Sequence, residues 1–282
     1  MNPVVLVILI WLALWGVNIL IARSRVSRSR PARIAVPVIF GVAVLILWEG
    51  LVTGLNVSPV ILPPPSAIAA RFAAETGTLW EDWVQTVLKG ALSGFVIGAT
   101  AAFLTAIAID RSRFLTQGLL PIGNFVAALP IVGIAPILVS WFGFDWQSKA
   151  AVVVVMVFFP ILVNTVQGLT EATAMQRDLM RTYGASWGQT LLKLRLPAAL
   201  PFIFNGLKIA TTLALIGAIV AEYFGSPTRG MGFRISTGVG RLSIDLVWAE
   251  IAVAALTGSI AYGLVVLAEK AFTFWHPSQR HQ

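Results

Sequence analysis

A short polar stretch interrupts a long apolar sequence: Arg177-Asp178-Leu179-Met180-Arg181-Thr182-Tyr183-Gly184-Ala185-Ser186-Trp187. Glycine accepts the left-handed backbone conformation that ends a helix, and a serine oxygen can cap the helix that follows. We therefore predict two short helices with a break at Gly184 and a cap at Ser186. We expect Leu196 and Pro197 to close the second helix and Pro201 to start the chain back into an apolar segment, because proline lacks an amide hydrogen.

The composition around this stretch is that of a membrane protein. Hydrophobic residues make up 57% of the 282 residues and charged residues 11%, whereas a soluble domain carries about 25% charged residues. Each crossing needs about 20 apolar residues, so the chain has room for several crossings but not for a separate catalytic domain. The net charge of +8 does not predict nucleic-acid binding, because the basic residues lie mostly between apolar segments.

The residues available for catalysis or metal binding are few. The chain has no cysteine, and its two histidines, His276 and His281, lie in the C-terminal tail. Thiolate chemistry, disulfides and zinc–sulfur sites are therefore excluded. We expect no metal site and no histidine proton relay within the membrane, and an intramembrane enzyme is disfavoured.

The apolar segments predict an all-α polytopic fold with about seven transmembrane helices. The first segment lacks the basic region that precedes the apolar part of a secretory signal, so we expect it to be retained. The segments are Pro3 to Ala22, Ile34 to Leu55, Thr86 to Ile109, Leu115 to Trp141, Ala150 to Leu169, Phe204 to Phe224 and Val247 to Ala271.

The basic residues set the orientation. Five arginines between Arg23 and Arg33 follow the first segment, which predicts a cytoplasmic loop and an outward N-terminus. With this threading the inner side holds 14 of the 20 Lys and Arg but 4 of the 12 Asp and Glu. Residues 110–114, 170–201 and the tail are then inside, and residues 56–85, 143–149 and 225–246 are outside. A short surface helix is expected outside at Ala67 to Thr76, either as a connector or as a contact for a delivering protein.

The inner polar segment has two interpretations on its residues alone. Leu179, Met180, Tyr183 and Trp187 stand among charged residues, which suits a helical knob that docks into a groove on another protein. A plain surface loop is the alternative.

The spacing in this segment resembles that of the binding-protein-dependent permeases of ATP-binding-cassette (ABC) importers. Their cytoplasmic loop reads Glu-Ala-Ala, three residues, Gly, nine residues, Ile, one residue, Leu-Pro. Here the matching positions are Asp178-Leu179-Met180, Gly184, Leu194 and Leu196-Pro197. The first triplet keeps only the acid of the family pattern. Three other motifs are similar to the nitrate, sulfonate, taurine and bicarbonate branch: Leu62-Pro63-Pro64-Pro65-Ser66-Ala67, Leu129-Pro130 through Trp141-Phe142-Gly143, and Leu196-Pro197-Ala198-Ala199-Leu200-Pro201.

This resemblance implies a type I importer with two permease subunits side by side, here a homodimer, two ATPase subunits beneath them and a soluble binding protein outside. A six-helix permease domain would occupy residues 34–275, with its coupling loop at 170–201. Residues 1–33 would be an extra N-terminal helix with its arginine-rich loop, and residues 276–282 a cytoplasmic tail. The ATPase-coupling residues implied are Asp178, Leu179, Met180, Tyr183, Gly184, Leu194, Leu196 and Pro197.

The sequence agrees with an ATPase that is a separate chain. It contains no Gly-x-x-x-x-Gly-Lys-Ser/Thr loop to hold nucleotide phosphates, so we expect no cofactor on this chain and ATP on the partner subunit. A secondary transporter or channel working without an ATPase is the alternative, but we find no internal repeat and no filter sequence. A purely structural membrane subunit is a further alternative.

The pathway candidates are polar residues of the apolar segments. Charges at mid-membrane are costly and usually functional, and these segments are nearly free of them. The ionisable exceptions are Lys89, Lys208 and Glu222, for which we favour snorkelling towards the interface over a place at the outer gate for Glu222. The candidates are Asn124, Asn164, Thr211, Thr212 and Glu222.

The sequence alone does not identify the substrate. An anion importer would use a fixed cation, and the outer side offers Arg229, Arg234 and Arg241. The neutral interior suits a pyrimidine vitamin precursor about as well as nitrate or a sulfonate.

Overall fold

The computed structural model describes residues 3–24, 29–111, 130–226 and 228–275, and its regular secondary structure there is entirely helical. The all-α prediction is confirmed. The helices are α1 (Pro3–Arg23), α2 (Arg30–Gly54), α3 (Pro65–Ala74), α4 (Thr76–Trp83), α5 (Ser93–Arg111), α6 (Ile131–Phe142), α7 (Trp146–Thr170), α8 (Ala174–Thr182), α9 (Trp187–Thr190), α10 (Leu196–Gly225), α11 (Met231–Gly240) and α12 (Ile244–Phe272), with π-helical stretches at Val84–Leu92 and Leu191–Arg195.

Six helical spans in the described residues are long and apolar enough to cross a membrane: Pro3–Arg23, Pro31–Gly54, Thr76–Arg111, Trp146–Thr170, Trp187–Gly225 and Ile244–Phe272. Six of the seven predicted segments fall on these spans. The remaining segment, Leu115 to Trp141, lies mostly outside the described residues, and its described end is the 12-residue α6. The surface helix expected at Ala67 to Thr76 is α3.

Two predicted boundaries are wrong. The third segment was expected to begin at Thr86, but its helix begins at Thr76, because Leu79 and Asp82 are buried rather than part of a loop. The expected stop at Pro197 is absent, since one helical span runs from Trp187 to Gly225. The π-helical turn before Pro197 is wider than an α-helical turn, which relieves the clash that proline makes with the preceding turn.

The chain forms two compact units. The first unit consists of residues 1–76 and 237–250, and in it α1 lies against α2. Gly50 and Gly54 permit this close approach, because a Cβ atom at Gly50 would stand 2.2 Å from a methyl group of Val7. The Asn18 amide donates to the Val36 carbonyl oxygen at 3.1 Å.

The second unit consists of residues 77–236 and 251–282, and in it α7 packs against α5, α6 and α10. One face of α5 repeats a small residue at every fourth position, and so does one face of α10; all eight are buried. Such stripes let membrane helices approach closely, since lipid provides no hydrophobic drive for helix association. Val153, Val157 and Ile161 of α7 lie in one buried core cluster with the alanines of both stripes. The two stripes are Gly94, Gly98, Ala102 and Ala106 on α5, and Gly206, Ala210, Ala214 and Ala218 on α10.

We predict that Gly94→Ala destabilises the protein. The new Cβ would lie 2.5 Å from the Val153 Cβ and 2.7 Å from the Ala150 carbonyl oxygen, and such overpacking costs about 1–3 kcal/mol. The matched control is Gly263→Ala on α12, where nothing lies within 4 Å. In thermal unfolding followed by tryptophan fluorescence, the midpoint should fall for Gly94→Ala only; equal midpoints would contradict this packing.

Candidate functional site

The polar segment between α7 and α10 folds as two capped helices. The Thr173 hydroxyl accepts from the Gln176 amide at 3.3 Å, and the Gln176 side chain accepts from the Thr173 amide at 2.9 Å. Ser186 and Gln189 repeat this capping box at 3.3 and 2.8 Å. Gly184 separates the helices with a φ of +68°. The predicted break at Gly184 and cap at Ser186 are confirmed.

Helix α8 and its C-cap residue Tyr183 expose a row of large side chains. Met175, Leu179 and Tyr183 recur every four residues, which places them on one face. Their exposed fractions are 83%, 56% and 80%. We call these three residues the α8 row. Exposed contiguous apolar side chains on a water-soluble part of a protein mark an interaction site.

The eight residues predicted to couple to the ATPase divide into two groups. Asp178, Leu179, Tyr183 and Gly184 are exposed, whereas Met180, Leu194, Leu196 and Pro197 are half-buried. Leu196 packs on a buried cluster that contains Leu169 and Leu191. The first group can therefore contact a partner directly. In the second group, Leu196 anchors the segment to the long helices.

The most extensive polar contact of this region was missed by the sequence analysis. The Arg195 guanidinium binds both carboxylate oxygens of Asp110, with the Nη1 to Oδ2 distance at 2.7 Å. Its Nε also donates to the Leu169 carbonyl oxygen at 2.9 Å. The sequence carried no signal for a pair separated by 85 positions. Arg111, the next residue after Asp110, lies over the Trp187 ring at 5.3 Å from the ring centroid.

Three of the five pathway candidates are polar side chains of α7 and α10 that are not fully buried. Asn164 accepts a hydrogen bond from the Asn205 amide at 2.9 Å. Thr211 lines an apolar cavity of about 240 Å³ together with Thr257, and Thr212 lines a second cavity of about 680 Å³. Asn124 lies outside the described residues.

Glu222, the fifth candidate, is fully buried. Its Oε2 accepts from the Thr86 hydroxyl at 2.6 Å and from the Gly232 amide at 3.1 Å. The Thr86 hydroxyl also accepts from the Met231 amide at 2.8 Å. The expectation that Glu222 snorkels is therefore wrong, because its carboxylate is buried and Oε2 accepts hydrogen bonds from donors inside the protein.

Two lysines also find partners within the protein. Lys208 was expected to snorkel, but its ammonium lies 2.9 Å from the Glu269 carboxylate. Lys149 was assigned to an outer loop, yet it is fully buried and donates to the Phe144 and Gly225 carbonyl oxygens at 2.5 and 2.7 Å. Lys89 is exposed and lines a polar pocket of about 460 Å³ with Arg229 and Asp145.

Residues 94–274 match the family described as the binding-protein-dependent transport system inner membrane component. The chain belongs to this family. It is 33% identical to a probable ABC transporter permease protein of Haemophilus influenzae, over 78% of this chain and 89% of that protein. It is 31% identical to the riboflavin transport system permease protein of Chloroflexus aurantiacus, over 83% and 87% of the two chains. It is 30% identical to the formylaminopyrimidine transport permease protein of Halalkalibacterium halodurans, over 86% and 96%.

Permease proteins named for aliphatic sulfonates, taurine and bicarbonate also match, which confirms the branch that the sequence motifs indicated. The protein is thus a multi-pass membrane permease of an ABC importer. Membership of this family decides against the alternative of a secondary transporter or channel that works without an ATPase.

Proposed function

We propose that this permease imports a small solute with energy from a separate ATPase chain, which docks on the α8 row. The observation that carries this proposal is the exposure of Met175, Leu179 and Tyr183 on a rigidly capped helix. An amphipathic helix offering such anchors fits a groove on a partner. ATP would be bound and hydrolysed on that partner, and a soluble binding protein would deliver the solute from the other side.

The proposed docking residues are the eight implied by the family pattern. Asp178, Leu179, Tyr183 and Gly184 would form the contact, and Met180, Leu194, Leu196 and Pro197 would hold its shape. Gly184 supports this role because its φ of +68° suits glycine and strains a residue with a side chain. Two copies of the permease domain at residues 34–275 would form the pathway between them, with the helix at residues 1–33 as an addition.

We predict that Leu179→Glu reduces the amount of ATPase that co-purifies with the permease. The substitution places a charge in the middle of the α8 row, which disfavours burial against an apolar groove. The matched control is Ala174→Glu, which adds the same charge in the first turn of α8, away from the row and where an acid is favourable. Measured by the ATPase to permease ratio after detergent purification, the ratio should fall several-fold for Leu179→Glu alone. Unchanged ratios in both variants would contradict docking on this row.

The orientation we propose has the N-terminus outside and both the α8 row and the C-terminal tail in the cytoplasm. The excess of Lys and Arg on one side of the membrane supports it. Docking of an ATPase on α8 requires the same side, since ATP is cytoplasmic.

The absence of cysteine from the chain makes this orientation directly testable. Lys193→Cys and Asn56→Cys each introduce a single thiol at an exposed position. We predict that a membrane-impermeant maleimide labels Asn56→Cys in intact cells and labels Lys193→Cys only after the membrane is opened. Labelling with the opposite pattern would show that the topology is reversed.

The substrate we favour is an uncharged heteroaromatic compound, such as a pyrimidine or flavin. The riboflavin and formylaminopyrimidine permeases among its relatives support this class. So does the pairing of basic side chains within the protein: Arg195, Lys208 and Arg234 bind carboxylates, and Lys149 donates to carbonyl oxygens. Nitrate, a sulfonate or taurine would instead need an exposed cation, for which Lys89, Arg229 and Arg241 are candidates among the described residues.

Mass spectrometry of the small molecule that co-purifies with the partner binding protein tests this choice. We predict a pyrimidine or flavin compound, and uptake of that compound into vesicles that stops when ATP is withheld. Recovery of taurine, nitrate or an alkanesulfonate would overturn the assignment and direct attention to Lys89, Arg229 and Arg241.

A further inference from the structure

We call residues 174–190, which contain α8 and α9, the docking segment. Arg195 stands at the junction between this segment and the long helices. It is the last residue of the π-helical stretch Leu191–Arg195, directly before α10. Its guanidinium binds Asp110, the penultimate residue of α5, and the Leu169 carbonyl oxygen in the last turn of α7. A single side chain thus connects the ends of three helices.

The chemistry of this contact makes it rigid. An arginine fork that meets both oxygens of a carboxylate fixes orientation as well as distance, and a charge-assisted bond is about twice as strong as a neutral one. The third bond satisfies a carbonyl at a helix end, where no partner within the helix exists. The side chains of Arg195 and Asp110 are 13% and 9% exposed, so water competes little for these bonds.

The surroundings tie the same junction to the docking segment. Leu191 is buried with Leu169 and Ala199, and Ile107 of α5 packs against that cluster. Trp187, which begins the second short helix, lies under Arg111 of α5. The π-helical stretch itself is of a kind that occurs often at functional positions in helices.

We propose that Arg195 is a positioning residue for energy coupling, which passes the displacement of the docking segment to α5 and α7. This inference rests on the proposed docking of an ATPase on α8. A push on α8 and α9 moves the start of α10, and the bonds of Arg195 oblige the ends of α5 and α7 to follow. Without the guanidinium, the docking segment keeps its own capping boxes and its partner but moves independently of those two helix ends.

The test compares variants of the full chain co-expressed with its ATPase and purified in detergent. Hydrogen exchange is measured with and without ATP and vanadate, in peptides covering residues 100–111, 160–170 and 174–190. For Arg195→Ala we expect ATPase retention close to wild type and an unchanged response at 174–190. The response at the two helix ends should be reduced by at least about fivefold, in the range of a lost coupling between sites.

Three further variants sharpen the result. Arg195→Lys keeps the charge but not the fork, so the response at the helix ends should be intermediate. The exchange of partners, Arg195→Asp with Asp110→Arg, should restore part of it. Lys193→Ala removes a basic side chain two residues away that is exposed, and it should behave as wild type. If Arg195→Ala does not accumulate, Arg195→Lys and the exchanged pair carry the test.

Two outcomes would overturn the proposal. One is an undiminished response at the helix ends of Arg195→Ala or, if that variant does not accumulate, of Arg195→Lys. The other is loss of the ATPase together with the response at 174–190, which would mean that Arg195 only maintains the fold of the docking segment. Failure of the docking proposal itself looks different, because the wild-type chain would then retain no ATPase or Leu179→Glu would retain it fully.

Discussion

The close approach of α5 and α10 to α7 is the constraint on which the second unit depends. Inside a bilayer, apolar side chains gain nothing by leaving lipid for one another, so contact area and backbone proximity decide which helices associate. The small residues of α5 and α10 bring the backbones near α7, and at Gly98 a Cβ would already lie 3.2 Å from the Val154 Cα. The positions of the helix ends follow from this packing, and the polar contacts of Arg195 join those ends.

Several buried polar groups of this unit are stabilised by partners from another element. Asp82 accepts from the Gly230 amide at 2.6 Å and from Arg234 Nε at 2.7 Å. Together with Thr86 and Glu222 it satisfies the first amides of α11, which have no partner within their own helix. An unpaired carboxylate at such depth would cost several kcal/mol. These contacts therefore fix where α11 begins.

The sequence predicted the features that depend on nearby residues and missed those that depend on distant ones. Apolar runs long enough to span a bilayer located six described spans, and Gly184 and Ser186 marked the break and the cap, since these signals act within a few residues. The continuation of the helix through Pro197 was unpredictable, because it depends on the π-helical turn before it. Asp82 and Lys149 looked like loop residues, and only their distant partners, at positions 230 and 225, explain their burial. Arg195 and Asp110 were likewise invisible as a pair.

The uninterrupted helix from Trp187 to Gly225 has a mechanical consequence. Its 39 residues extend about 58 Å at 1.5 Å per residue, nearly twice the hydrocarbon thickness of about 30 Å. With one end of a helix of this length held, a tilt of about 5° displaces the other end by about 5 Å. At the far end, the Gly225 carbonyl oxygen accepts a hydrogen bond from Lys149. A small rotation begun at Trp187 would thus arrive as an ångström-scale shift at Gly225.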